Sequence, residues 1–79
     1  MTRDSPDDQE VVETAVEAAE DVILSRYGRN EIRDLDVAVS FEQNRLSVDI
    51  YLNAPGDADR VADDAALAAR AAVDSLLEV

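Results

Sequence analysis

The sequence predicts an α+β fold of αββα order: a two-stranded antiparallel hairpin covered on one face by two antiparallel helices. Three observations carry that expectation. Apolar residues recur at three- and four-residue spacing near both ends of the chain, the period of an amphipathic helix. Between those stretches the period drops to two over two successive segments, the period of half-buried strands. At 79 residues the chain is one small domain, with a tail at residues 1–4, a helix over 5–28, strands over 34–42 and 45–53, and a helix over 57–77.

The first helix starts from Ser5, Pro6, Asp7 and Asp8. Ser5 suits the N-cap, Pro6 the first helical position where its missing N–H costs nothing, and the two carboxylates the positive end of the dipole. Val12, Ala15, Val16, Ala19, Val22, Ile23 and Tyr27 then form an apolar stripe. Glu10, Glu13, Thr14, Glu17, Glu20, Asp21 and Ser25 fill the other side. Gly28 stands where a left-handed C-terminal cap belongs, and Arg26 and Arg29 suit the negative end of the dipole.

In the strands, Leu35, Val37, Val39 and Phe41 alternate with polar or small residues, as do Leu46, Val48, Ile50 and Leu52. If Gln43 and Asn44 form the turn, Phe41 faces Leu46, Val39 faces Val48, Val37 faces Ile50 and Leu35 faces Leu52. All eight apolar residues then share one face. The same register sets Glu42 opposite Arg45 and Ser40 opposite Ser47 on the other face, so cross-strand chemistry agrees with the pattern. Asn44 tolerates positive φ better than Gln43 does, which leaves a longer turn open. Asn53, Ala54, Pro55 and Gly56 break the second strand, and Asp57 or Asp59 can cap the second helix. Its stripe is Ala58, Val61, Ala62, Ala65, Ala68, Ala69, Ala72, Val73 and Leu76, small enough for close approach to a neighbour.

Composition excludes more than it suggests. The chain has no Cys, His or Lys; its seven cations are all Arg, against 19 carboxylates, and the net charge is -12. Disulfides, thiol or imidazole catalysis, the usual nitrogen and sulfur zinc sites, Schiff bases and phosphate-loop lysines are therefore excluded. A GC-rich coding bias and a salt-rich cytoplasm both favour this composition. At about 1 M salt the Debye length is about 3 Å, so a dense acidic shell is screened and stays soluble. The acidity then reports habitat, and it argues against nucleic acid only weakly in a halophile. No apolar run reaches the length of about 18 residues that marks a membrane span, and the N-terminus lacks a basic segment followed by an apolar one. A cytoplasmic setting is expected.

No constellation converges on chemistry. Asp7 with Asp8, and Asp63 with Asp64, point about 100° apart on a helix and cannot share one site. The loop from Asn53 to Asp59 has alternating oxygen ligands but lacks the length and bidentate Glu of a calcium loop, so a turn with an N-cap is favoured. The one local reversal of charge is Arg26, Tyr27, Arg29 and Arg33, which could meet phosphate or a base plane, although Glu31 and Asp34 interrupt it. Leu24 and Leu67 fall outside their helices' apolar arcs and are candidates for partner contact. On the open sheet face Tyr51 is the sole aromatic, beside Asp36, Asp49 and Glu42, which suits RNA poorly. No catalytic, cofactor-binding or metal-ligating residue is assigned.

The acidic first helix ending Ser25, Arg26, Tyr27, the strand Val48, Asp49, Ile50, Tyr51, Leu52 and the following Asn53, Ala54, Pro55, Gly56, Asp57 resemble a family of small, uncharacterised archaeal αββα proteins, in the version typical of extreme halophiles. The resemblance spans nearly the whole chain and implies no activity and no site residues; it implies a genomic association with the prefoldin beta subunit, and so a setting near translation and chaperoning. The expected function is a non-enzymatic interaction or structural module of a halophilic cytosol, with an unidentified protein partner. The alternative is an RNA- or ribosome-associated domain using the linker from Arg26 to Arg33. A lone hairpin also leaves two edges with unpaired backbone groups. Self-association into a homodimer with a four-stranded sheet is therefore expected, with the second strand as the better edge.

Overall fold

The computed structural model describes residues 7–77. The elements follow the expected order: α1 (Asp8–Arg26), a 3-10 turn (Arg29–Glu31), β1 (Asp34–Glu42), β2 (Arg45–Asn53) and α2 (Ala58–Leu77). Among the described residues the sheet has two strands. The fold is thus α+β with αββα order.

The ends of α1 differ from expectation. Ser5 and Pro6, expected as cap and first helical residue, lie outside the described residues, as does the tail. Asp7 is the N-cap: its backbone is extended (φ -81, ψ 171) and its carboxylate accepts the Glu10 N–H at 2.8 Å. Asp7, expected only as a carboxylate on the positive end of the dipole, thus takes the cap role expected of Ser5, since an aspartate accepts a first-turn N–H as readily as a serine does. At the other end Gly28 is not a left-handed cap, since its φ is -72. The helix closes instead on Tyr27 in extended conformation, whose N–H donates to the Ile23 carbonyl at 3.0 Å. Gly28 opens the 3-10 turn: its N–H donates to Glu31 Oε1 at 2.8 Å while the Glu31 N–H donates back to the Gly28 carbonyl at 2.9 Å. That reciprocal pair satisfies the N–H groups at both ends of the short turn.

The hairpin has the expected register, including Val39 with Val48, Ser40 with Ser47 and Glu42 with Arg45. Gln43 (φ 52) and Asn44 (φ 63) are both left-handed. That makes a two-residue turn whose twist matches the strands, at a conformational cost carried by Gln43. Beyond β2, Gly56 takes φ 80, where a side chain would be strained. The Val61 N–H donates to the Asp57 carbonyl at 3.1 Å, so of the two candidate caps Asp57 precedes the helix and Asp59 lies in its first turn.

The core consists of Val11, Ala15, Ala19 and Ile23 from α1, Val61, Ala65, Ala69 and Val73 from α2, and Leu52. Both helices bury a row at four-residue intervals, with alanine in the middle and larger residues at the ends. Val11 was absent from the expected stripe and is fully buried, whereas its neighbour Val12 is half-buried on the flank. Thr14 and Glu10, expected on the polar side, are also half-buried. Each helix packs on the strand nearest it in sequence, and the helices pack on each other. The expected stripe of α2 is buried or half-buried throughout.

On the hairpin's inner face only Leu52 is buried; Leu35, Val37, Val39, Phe41, Leu46, Val48 and Ile50 are half-buried. Strands lie about 4.8 Å apart and helices about 8–10 Å apart, so two helices are wider than two strands; the inner side chains stay half-buried where neither strand has a further strand beside it among the described residues.

Candidate interaction surfaces

The arginine-rich linker is largely engaged with its own chain. Arg26, at the last turn of α1, reaches across to α2, its Nη2 3.2 Å from Asp64 Oδ2. The pair is solvent-exposed and contributes at most about 1 kcal/mol; it joins the end of α1 to the first half of α2, as the antiparallel course of the two helices allows. Tyr27 is half-buried against the core, and its hydroxyl donates to the Pro55 carbonyl at 2.7 Å. The aromatic ring is thus turned inward, away from any stacking partner. Arg33 is exposed, and its backbone N–H donates to the Asn53 carbonyl at 2.8 Å, extending the hairpin ladder by one bond.

Arg29 belongs to a different surface. With Glu20, Leu24, Ile32 and Leu35 it lines an open cleft of about 250 Å³ between α1 and the start of β1. Leu24, 38 % exposed, forms part of its apolar wall. The structure therefore brings Leu24 and Arg29 together, gives the side chains of Arg26 and Tyr27 other partners, and leaves the Arg33 side chain exposed. Leu67, 65 % exposed, projects from α2. Glu20, Ile32 and Leu35 carried no functional signal in the sequence: one reads as helix surface, one as linker and one as strand core, and only the chain reversal at Gly28 joins them.

Two further features are bland. A second cleft, lined by Gly56, Asp57, Ala58, Asp59 and Arg60, surrounds the first turn of α2, where the carboxylates already complement the positive end of the dipole. Among the described residues no three metal-capable side chains gather into one site. The outer sheet face carries Asp34, Asp36, Ala38, Ser40 and Glu42 on β1, with Arg45, Ser47, Asp49, Tyr51 and Asn53 on β2, all exposed. Tyr51 sits directly opposite Asp36.

The strand edges are chemically distinct. The two-residue turn makes Glu42 and Arg45 a hydrogen-bonded pair, and the alternation of an antiparallel ladder then turns the backbone groups of Leu46, Val48, Ile50 and Leu52 outward from β2. On β1 the outward positions are Leu35, Val37, Val39 and Phe41. The side chains flanking the β1 edge on the outer face are three carboxylates and no cation; those flanking β2 include both Arg45 and Asp49.

Fold and surface together define a small, strongly acidic αββα protein with a half-covered hairpin. It is similar to an uncharacterised protein of the haloarchaeon Natronomonas pharaonis, with 54% identity over 77 residues, covering 95% of this chain and 93% of that protein. The chain belongs to the same family as that haloarchaeal protein. No family model and no solved structure matches it. Among the described residues no helix is long and apolar enough to cross a membrane.

Proposed function

We propose that this protein is a non-enzymatic interaction module of a halophilic cytoplasm, and that the hairpin is its working surface. The observation that carries the reading is the sheet itself. Among the described residues two nine-residue strands have no third neighbour, and seven of the eight inward apolar side chains stay half-buried although two helices lie over them. A protein of this size needs all the burial it can reach. A partner that added a strand would satisfy a row of outward backbone groups and cover one flank of that face, the mode of recognition in which main-chain hydrogen bonds supply affinity. The engagement of Arg26 with Asp64 and of Tyr27 with Pro55 favours this surface over the arginine linker.

The test is the size of the native protein. In a fresh lysate of the source cells, kept at about 2 M KCl to hold the acidic shell screened, size-exclusion chromatography with mass-spectrometric detection should place the chain well above its own 8.6 kDa. Elution as a single chain overturns the reading. Collapse of the larger species after ribonuclease treatment would replace it with the RNA-associated alternative.

A further inference from the structure

We infer that the partner at the β2 edge is a second copy of this chain, paired antiparallel about a two-fold axis through Val48. The inference rests on the interaction-module reading and specifies its partner.

Charge complementarity selects both the edge and the register. A two-fold pairing of β1 with itself would gather Asp34, Asp36 and Glu42 from both copies with no cation to offset them, and like charges across a ladder are destabilising. The β2 edge is self-complementary. With the axis at Val48, Ser47 lies opposite the second copy's Asp49, and Arg45 lies opposite its Tyr51 with its Asp49 on the adjacent diagonal. Each contact occurs twice by symmetry. Arg over Tyr is a cation–π pair, Ser with Asp a hydrogen-bonding one, and Arg with Asp an ion pair. Moving the axis to Asp49 would set two carboxylates face to face, and moving it to Ile50 would carry Arg45 away from the second copy's Asp49.

The backbone agrees with this axis. Leu46, Val48 and Ile50 turn their N–H and C=O groups outward, so Val48 pairs with Val48 and Leu46 with Ile50 in hydrogen-bonded positions. On the inner face the same pairs join two half-buried apolar strips into one. Since α2 packs on β2 and α1 on β1, the two α2 helices would flank the axis. Asp64 marks the side of α2 turned toward α1. The flank on the other side carries Ala62 and Ala66, because two residues' separation turns a helix by about 200°. Alanine there lets helices approach closely above strands that are themselves closely spaced.

The chain has no Cys, so a single introduced thiol reports one position. The Cα atoms of a hydrogen-bonded antiparallel pair lie about 5.5 Å apart, within disulfide range. Purified protein at tens of micromolar in about 2 M KCl should sediment at the mass of two chains. Under mild oxidation V48C should become a covalent dimer that is folded by circular dichroism, while V39C, at the paired position on β1, should remain unlinked. A mass of one chain at every concentration overturns the inference; the interaction-module reading then still stands if the lysate species is large. Equal linking of V39C and V48C, or preferential linking of V39C, rejects the β2 edge.

Discussion

Replacing Ala19 by Leu tests the claim on which the whole core depends, that α1 and α2 touch through alanine. Ala15, Ala19, Ala65 and Ala69 are all fully buried, so the two helices approach as closely as their backbones allow. Two outcomes compete. If room existed, three added carbons at about 0.8 kcal/mol per buried methylene would stabilise the protein by about 2.4 kcal/mol. If the helices are in contact, the leucine must displace one of them, and overpacking costs about 1–3 kcal/mol. Zero exposure at four successive contact positions favours the second outcome. A domain of this size has about 4–12 kcal/mol of total stability at roughly 0.05–0.15 kcal/mol per residue. The loss is a large fraction of that, and at about 4–8 °C per kcal/mol it lowers the melting temperature by about 4–24 °C. Thermal unfolding followed by far-ultraviolet circular dichroism reads it directly. Ala38→Leu on the exposed outer face is the reference, expected to stay within about 0.5 kcal/mol of the parent. An unchanged or raised melting temperature for Ala19→Leu would refute close helix packing.

Removing salt should destabilise the fold, because twelve excess negative charges lose their screening as the Debye length grows from about 3 Å at 1 M to about 10 Å at 0.1 M. Melting temperatures in KCl at both concentrations check this, and equal values would leave coding bias as the cause of the composition. Tyr27→Phe removes the hydroxyl that donates to Pro55 at 2.7 Å and should cost about 0.5–1.5 kcal/mol in chemical denaturation, with the midpoint shifted and the slope unchanged. Gln43→Gly should stabilise the hairpin by about 1 kcal/mol, since φ 52 strains a residue with a Cβ and not glycine. A drop in stability would mean that the unfolded chain's gain in freedom outweighs that strain.

The hairpin was the most legible part of the chain because two independent constraints coincide on it. Period-two patterning places eight apolar residues on one face, and the single cation of the strands, Arg45, finds Glu42 only in that register. The helices were legible as helices but not in their rotation. Val11 and Val12 are adjacent, equally apolar and 100° apart, and which of them enters the core depends on where α2 lies, which no local period encodes. Gly28 misled for a related reason: glycine after a helix marks a chain reversal, but the turn at Gly28 to Glu31 reverses the chain through a Glu31 side chain that reads in sequence as ordinary linker charge.

The same distinction explains why the interaction surface was only partly visible. The arginines from Arg26 to Arg33 stand close together in the sequence, and folding sends Arg26 to Asp64, 38 residues away, and Arg29 to a cleft with Leu24. Proximity along the chain is therefore poor evidence for a shared site where a helix, a 3-10 turn and a strand succeed one another within eight residues. Edge chemistry behaves differently, because a strand keeps its alternate residues in line over its whole length. Arg45, Ser47, Asp49 and Tyr51 stay on one face and one edge whatever the helices do. Their self-complementarity is a property that the sequence carries and the two-residue turn fixes, since the turn alone determines which backbone groups point outward.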